Sequence, residues 1–422
     1  MFNIRKKWTS SLLLRKIGWT LVIVMVYIIG RFLPVPTAAV NQKLVQNFVN
    51  SNLLNNLATV TGARISSITL FSLGLSPWMT TVIIWRFFTV FNLFKNQTQV
   101  QVYRYRMMLT LVIAAIQAFG LTASTNLIEM DLFGIRGEGI ALFFTMLILA
   151  SGSVVLTWLG NMNASRGLGG MTIMILVNMI LSFIENGVGF ISEQSGFTMD
   201  LLGQIALFIV AYTLLVLLTV ILYRGEYRIP IKRVGIHTSY NQKSYLPIRV
   251  TPAGAMPFMY GMTLMMLPAY LLNGLRYFYP ENETLKEVAF GLSLTQLSGA
   301  LFYITLLYVL SIGFAYYNYD SYDIAKNMRN NGDYIEGVRP GKDTKDFVQR
   351  KVNSLAQFGA LTVMLIVGLP LIFLVAQWAS DGSVSIALLI NNAYIVSSLL
   401  LGVIEQVNTI QGWKQYKNVI YT

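Results

Sequence analysis

The residues able to do chemistry are few. The chain has 422 residues, one histidine (His237) and no cysteine. No thiol nucleophile, thiolate metal site or disulfide is possible, and a lone histidine cannot form a paired-histidine zinc motif. His237 lies in a basic, polar stretch, where an imidazole is normally solvated. Carboxylates are sparse in the apolar segments: Glu138, Glu185 and Glu405 sit near segment ends. A coupled secondary transporter needs ionisable groups at mid-membrane, and none is evident. Gln117, Asn178, Asn391 and Asn392 are the polar residues within or near apolar segments, and they read as hydrogen-bonding between helices. Gly337-Val338-Arg339-Pro340-Gly341-Lys342-Asp343 superficially suggests a phosphate loop. It has three residues between its glycines rather than four, Asp343 where Ser or Thr should hold magnesium, and a proline that removes a backbone donor. The expectation is no enzyme, no cofactor and no ATP site, so any vectorial work is powered by another molecule.

The elements that position these residues are membrane spans. The chain is 55% hydrophobic and 12% charged, which is multi-spanning composition. Ten apolar segments are expected, near 17–33, 75–91, 107–127, 140–158, 171–190, 201–223, 253–272, 292–314, 355–376 and 386–406. The first has too long an apolar core, and no small-residue cleavage site, to read as a cleaved signal. A net charge of +13 could suggest nucleic acid, but its distribution argues otherwise. Of the 31 Lys and Arg, 25 fall in the termini and in alternate connections. That bias predicts both termini on the cytoplasmic side and no direct nucleic-acid partner. Trp19, Trp78, Trp85, Trp158, Trp378 and Trp413 lie near span ends, as an aromatic belt would.

Ten spans divide into two five-helix halves of opposite orientation, 1–195 and 196–422, in an all-α polytopic fold. Gly74 and Pro77 at the start of span two, and Gly254 and Pro257 at the start of span seven, hint at the repeat. Backbone broken inside an apolar span must be buried in protein or line a wet cavity. Just before it, residues 52–67 form an amphipathic piece with Leu53, Leu54, Leu57 and Val60 at helical spacing and Gly62 ending it. This is either a re-entrant loop or a short helix that closes a cavity. Two connections, about 223–252 and 316–353, are long and basic. Lengths of that kind are usually functional or disordered, and a soluble partner is expected to dock there.

Several motifs occur in the order and spacing of one family. Tyr27-Ile28-Ile29-Gly30 with Leu33-Pro34-Val35-Pro36, then Leu73-Gly74-Leu75-Ser76-Pro77, then Trp158-Leu159-Gly160 with Arg166-Gly167-Leu168-Gly169, resemble the SecY family of protein-conducting channel subunits. So do Arg228-Ile229-Pro230-Ile231, Tyr245-Leu246-Pro247-Ile248, Ala253-Gly254-Ala255-Met256-Pro257, Gly337–Lys342 and Gln406-Val407-Asn408-Thr409. The resemblance covers essentially the whole chain. Gly170 stands where the family has an Asn, which leaves open any gate hydrogen bond that Asn makes. With the connection at 223–252 and the tail both short beside those of housekeeping SecY, and with the mixed pore positions, this points to the accessory SecY branch of Gram-positive bacteria.

The resemblance implies a multi-pass protein of the bacterial cytoplasmic membrane. It would pass unfolded preproteins, in the accessory branch serine-rich glycosylated adhesins, across the membrane and sideways into lipid. It implies an apolar pore ring at Leu75, Met79, Met259 and Ile395. In span five the ring is Thr172 and Leu176, or Met171 and Ile175 if the register slips by one. Such a constriction excludes hydrated ions by dewetting, and methionine repacks around passing side chains. Residues 52–67 become the plug, with Leu53, Leu54, Leu57 and Val60 as its apolar face. Implied partners are a SecA-type motor ATPase, SecE-like and SecG-like small membrane subunits and, as a further candidate, ribosomes. The motor would dock at Arg339, Pro340, Gly341 and Lys342, with Lys232 and Arg233 supplying steering charge. A solute transporter and a non-conducting scaffold are the competing classes.

Overall fold

The computed structural model describes residues 2–37, 68–90, 97–123, 130–132, 135–193, 199–234, 244–279, 282–292, 296–369, 371–372 and 383–417. The plug positions Leu53, Leu54, Leu57 and Val60, and His237, lie outside the described residues, as does the side chain of Asn391.

Every expected apolar segment overlaps a helix. The helices are α1 (Phe2–Phe32), α2 (Ser76–Val90), α3 (Gln99–Thr122), α4 (Glu138–Arg166), α5 (Thr172–Glu193) and α6 (Met199–Arg224), followed by α7 (Met256–Phe278), α8 (Glu283–Gly291), α9 (Leu297–Asn318), α10 (Ser321–Asn331), α11 (Lys342–Val363) and α12 (Ser383–Lys417). A π-helical turn, Met364–Gly368, continues α11. Between α3 and α4, the short strands β1 (Met130–Leu132) and β2 (Ile135–Gly137) pair antiparallel. Among the described residues, six stretches are long and apolar enough to cross a membrane: Leu13–Phe32, Gln99–Thr122, Gly139–Arg166, Met256–Phe278, Leu297–Asn331 and Asn392–Gln411. Leu21, Met25 and Ile29 on α1 stay exposed in the isolated chain. Lipid covers such side chains without cost, so apolar exposure here is the membrane-protein pattern.

Local chemistry sets the helix ends. Thr98 and Gln101 form a capping box at α3: the Gln101 amide donates to the Thr98 hydroxyl oxygen at 3.4 Å, and the Thr98 amide to Gln101 Oε1 at 3.0 Å. At α10, the Asp320 carboxylate accepts from the amides of Tyr322 and Asp323, and Gly332, at φ 72°, closes the other end.

The chain resolves into two compact units, one of Met1–Gly196, Met262–Gly299 and Leu399–Thr422, the other of Phe197–Gly261 and Ala300–Ser398. In the first, residues 70–75 form consecutive turns rather than helix, and residues 71–77 are all buried. Broken backbone in an apolar setting is thus covered by protein, as hydrogen-bond economy requires. Neighbouring glycines admit it. A Cβ on Gly30 would lie 2.0 Å from the Phe71 ring, and one on Gly152 would lie 2.0 Å from the Leu70 carbonyl oxygen.

The second unit begins its α7 in the same way. Gly74 has φ 56° and Gly254 φ 59°. Each donates its amide to the carbonyl three residues back, Phe71 at 2.9 Å and Thr251 at 3.1 Å. The helix starts two residues later in both cases, with proline in its first turn, where a missing N–H costs nothing. The sequence hint of a repeat is therefore a matching backbone turn.

The two long connections are folded. Residues 223–252 contain β3 (Glu226–Pro230), β4 (Lys232–Arg233) and β5 (Tyr245–Arg249), and β3 pairs with β5 antiparallel, Tyr227 opposite Ile248. Residues 316–353 contain α10, the strand β6 (Asp333–Tyr334) and the start of α11. Strand β4 pairs with β6, Lys232 opposite Tyr334 and Arg233 opposite Asp333. One small core unites them, built from Ile229, Ile248, Met328, Ile335, Val348 and Val352. The spacing Thr344, Val348, Val352, Ala356, Ala360 gives α11 one continuous buried stripe.

Candidate functional site

In the first unit, the turn at Gly74 leads through buried Leu75 into α2, where Met79, Thr80 and Thr81 are buried. Thr80 and Thr81 donate their hydroxyls to the carbonyls of Ser76 and Pro77, which satisfies polar groups where water is absent. Gln117 of α3 donates Nε2–H to the Thr80 hydroxyl at 3.3 Å, a bond between helices of the expected kind. Thr263 of α7 donates its hydroxyl to the Met79 sulfur at 3.2 Å. The α3 and α7 backbones also approach closely: a Cβ on Gly120 would fall 2.1 Å from the Tyr270 carbonyl oxygen.

Span five starts from a turn that side chains on three helices hold. Gly169 and Gly170 adopt φ 69° and 51°. The Asn163 amide donates to the carbonyls of Leu168 and Gly170, at 2.7 and 2.8 Å. The Leu168 amide donates to the Thr20 hydroxyl oxygen at 2.8 Å, and the Gly169 amide to Gln406 Oε1 at 2.9 Å. The Arg166 guanidinium lies over the Trp19 ring, 5.1 Å from its centroid. Gly170 has no side chain to bond with, but Asn163, one helical turn before the loop, binds the loop's carbonyls instead. Sequence reading missed Asn163, Thr20 and Gln406, since nothing local marks a polar side chain as a loop clamp. Beyond this turn, Met171 and Thr172 are partly exposed, and Ile175 and Leu176 are buried.

In the second unit, Met259 occupies the position in α7 that Met79 occupies in α2, five residues after the positive-φ glycine. Both are buried. The Phe258 ring packs on Tyr394 of α12, centroids 4.9 Å apart, and Ile395 beside it is fully buried.

The polar module, also in this unit, presents the tip Gly337–Gly341. Gly337 and Gly341 have φ 79° and 110°, conformations that glycine adopts without strain. Arg339 and Pro340 are exposed, and the Arg339 carbonyl accepts from the Thr344 hydroxyl at 2.8 Å. Beside the tip is a concavity of about 680 Å³ whose lining includes Arg339, Asp343, Asp346, Phe347 and Arg350. Lys342 is exposed in the first turn of α11. Lys232 and Arg233 are not isolated cations. Lys232 Nζ lies 2.9 Å from Glu336 Oε1, and Arg233 reaches both Asp333 oxygens, at 2.7 and 3.2 Å. The hydrogen bond to Glu336, then its charge, raises the Lys232 ammonium above the ordinary lysine value. This stabilisation is complete below the ordinary lysine value and is lost only as pH rises through the raised one. The Lys232 ammonium therefore stays charged through the neutral range. Among the described residues, no group of His, Cys, Asp and Glu could hold a metal ion.

A family description for SecY matches residues 69–409. The chain is 49% identical over 418 residues to the accessory Sec system protein translocase subunit SecY2 of Streptococcus parasanguinis, covering 99% of each chain. A solved structure of a protein conducting channel superposes with a TM-score of 0.65 at 16% identity, over 94% of this chain and 93% of that one. A second, from work on the plug domain of SecY and its membrane seal, gives 0.65 at 17%, over 94% and 92%. The family match spans most of the chain and the identity runs nearly end to end, so this polytopic membrane protein belongs to the SecY family, in its accessory branch.

Proposed function

We propose that the chain is the channel-forming subunit of a protein translocase, exporting unfolded preproteins across the bacterial cytoplasmic membrane. The observation that carries this reading is the matched pair of positive-φ turns that bring Met79 and Met259 to equivalent buried positions. Family membership assigns the apolar ring to Leu75, Met79, Met259 and Ile395, with Thr172 and Leu176 or their neighbours Met171 and Ile175. Such a ring blocks ions by dewetting and yields to a passing chain because methionine repacks. Family membership assigns the plug to residues 52–67. Serine-rich glycosylated adhesins are the proposed clients, on the strength of the accessory branch. Both termini and the polar module face the cytoplasm, as the charge bias supports. A SecA-type motor docks on the module at the Arg339–Lys342 tip, and SecE-like and SecG-like subunits complete the complex. Ribosomes are a second candidate for the same surface.

The test is site-specific photocrosslinking from positions 79 and 259 to an arrested secretory chain in membranes. Adducts at both positions are expected. Their absence, alongside adducts from positions on the lipid-facing side of α1, would overturn the channel reading.

A further inference from the structure

Lys232 and Arg233 sit on a strand of only two residues. A ladder that short has little stability of its own. Its register nevertheless places two cations against two acids about a hundred residues away in sequence: Lys232 with Glu336 at 2.9 Å, and Arg233 with both oxygens of Asp333. The Val234 amide adds one backbone bond, to the Gly332 carbonyl at 3.0 Å. The location of the acids matters. Glu336 immediately precedes Gly337, the first positive-φ residue of the exposed tip. Asp333 immediately follows Gly332, the positive-φ cap of α10. The paired segment thus lies between two positive-φ glycines, and the far side of the tip is held separately by the Thr344 hydroxyl on the Arg339 carbonyl.

We infer that Lys232, Arg233, Asp333 and Glu336 form a clasp between the two connections, and that Lys232 and Arg233 act on export by positioning the Arg339 tip rather than by touching the motor. The inference rests on the docking role proposed for that tip. The chemistry favours a clasp over steering. A cation already paired at contact distance offers little free field to an approaching acidic surface, whereas a bidentate Arg–carboxylate pair fixes geometry. Asp333, its side chain only 15% exposed, is the better-shielded partner. The Lys232–Glu336 pair is open to water on both sides and so is the salt-sensitive half. High ionic strength would loosen the tip's base while leaving the apolar core of the module intact.

The experiment uses the full chain in proteoliposomes and charge reversal with rescue. Lys232→Glu with Arg233→Asp breaks the clasp. Adding Glu336→Lys and Asp333→Arg rebuilds it with opposite polarity. Two readouts are taken. The first needs no motor: a nitroxide attached through Arg339→Cys, in a chain with no other cysteine, reports mobility of the tip. Mobility is expected to rise on reversal, to return in the four-residue swap, and to rise with salt in the parent but not in Lys232→Ala with Arg233→Ala. The second is motor affinity with Arg339 intact. Reversal is expected to weaken it about two- to fivefold, the range for exposed pairs, and the swap to restore it. A swap that restores mobility but leaves motor binding weakened means the motor contacts Lys232 and Arg233 directly, which overturns the positioning role. Unchanged mobility on reversal overturns the clasp itself. If Arg339→Glu leaves motor binding normal, the docking reading fails by a separate measurement, and the mobility data still decide whether the clasp exists.

Discussion

Replacing Ile248 by alanine should loosen two stretches of chain about seventy residues apart at once. Ile248 is fully buried in β5, opposite Tyr227, in the core shared with Ile229, Met328, Val348 and Val352. The change removes three carbon atoms. At roughly 0.8 kcal/mol per buried methyl or methylene group that is about 2.4 kcal/mol, and a partly collapsed cavity brings the total to about 3–4 kcal/mol. A module this small holds stability of that same order. At about 1.4 kcal/mol per decade, the open fraction rises more than about a hundredfold. Hydrogen exchange followed by mass spectrometry reads this directly. Amides of 226–234, 244–249 and 321–352 should lose protection together, while those of α4 and α7 should keep theirs. Ile248→Val, one carbon smaller, should give the same pattern at about 0.5–1.5 kcal/mol. If only the β3–β5 hairpin loosens and α10 and α11 stay protected, the two connections do not share a core, and a clasp between them has no scaffold.

Three other outcomes follow from single contacts. Gly254→Ala has open space for its methyl but a φ of 59°, so it should cost only the backbone term, about 1–2 kcal/mol, and Gly254→Asn should cost less; Gly120→Ala has ordinary φ but meets the Tyr270 carbonyl oxygen at 2.1 Å, so it should destabilise far more, and thermal melts in detergent that rank them the other way would refute this. Asn163→Ala leaves the Leu168 and Gly170 carbonyls without their shared donor and should cost about 1–3 kcal/mol, with Asn163→Asp worse because it turns oxygen toward oxygen; equal melting temperatures for all three proteins would count against the clamp. Met79→Cys with Thr263→Cys places two thiols at sites whose side chains now touch at 3.2 Å, and joining them with a short bismaleimide, which alkylates both thiols, should stop export while the unlinked pair still exports; full export by the linked protein would show that α2 and α7 need not separate there.

Much of this molecule is written in local sequence, and the reason is local. The spans follow from apolar runs long enough to satisfy their own backbone in lipid. The breaks at Gly74 and Gly254 follow from glycine's access to positive φ and proline's fit to a first helical turn. Thr98 with Gln101, and Asp320 ahead of α10, are caps that a four-residue window can specify. The stripe along α11 is legible in the same way, as valine and alanine four residues apart. The long connections are different. Their apolar residues are too few in either segment to bury one another, so each reads alone as a polar loop. Only when Ile229 and Ile248 meet Met328, Val348 and Val352 does a core exist. Charges carry even less local information. Lys232 and Arg233 look like free cations until tertiary structure brings Glu336 and Asp333 to them across 104 and 100 residues. Asn163 looks like an ordinary helical polar residue until the loop it caps folds back over it, with Thr20 and Gln406 arriving from 148 and 237 residues away. Sequence determines what each segment can form alone; which unsatisfied groups meet depends on chain-wide packing, because a hydrogen bond or ion pair forms only between the groups that packing brings together.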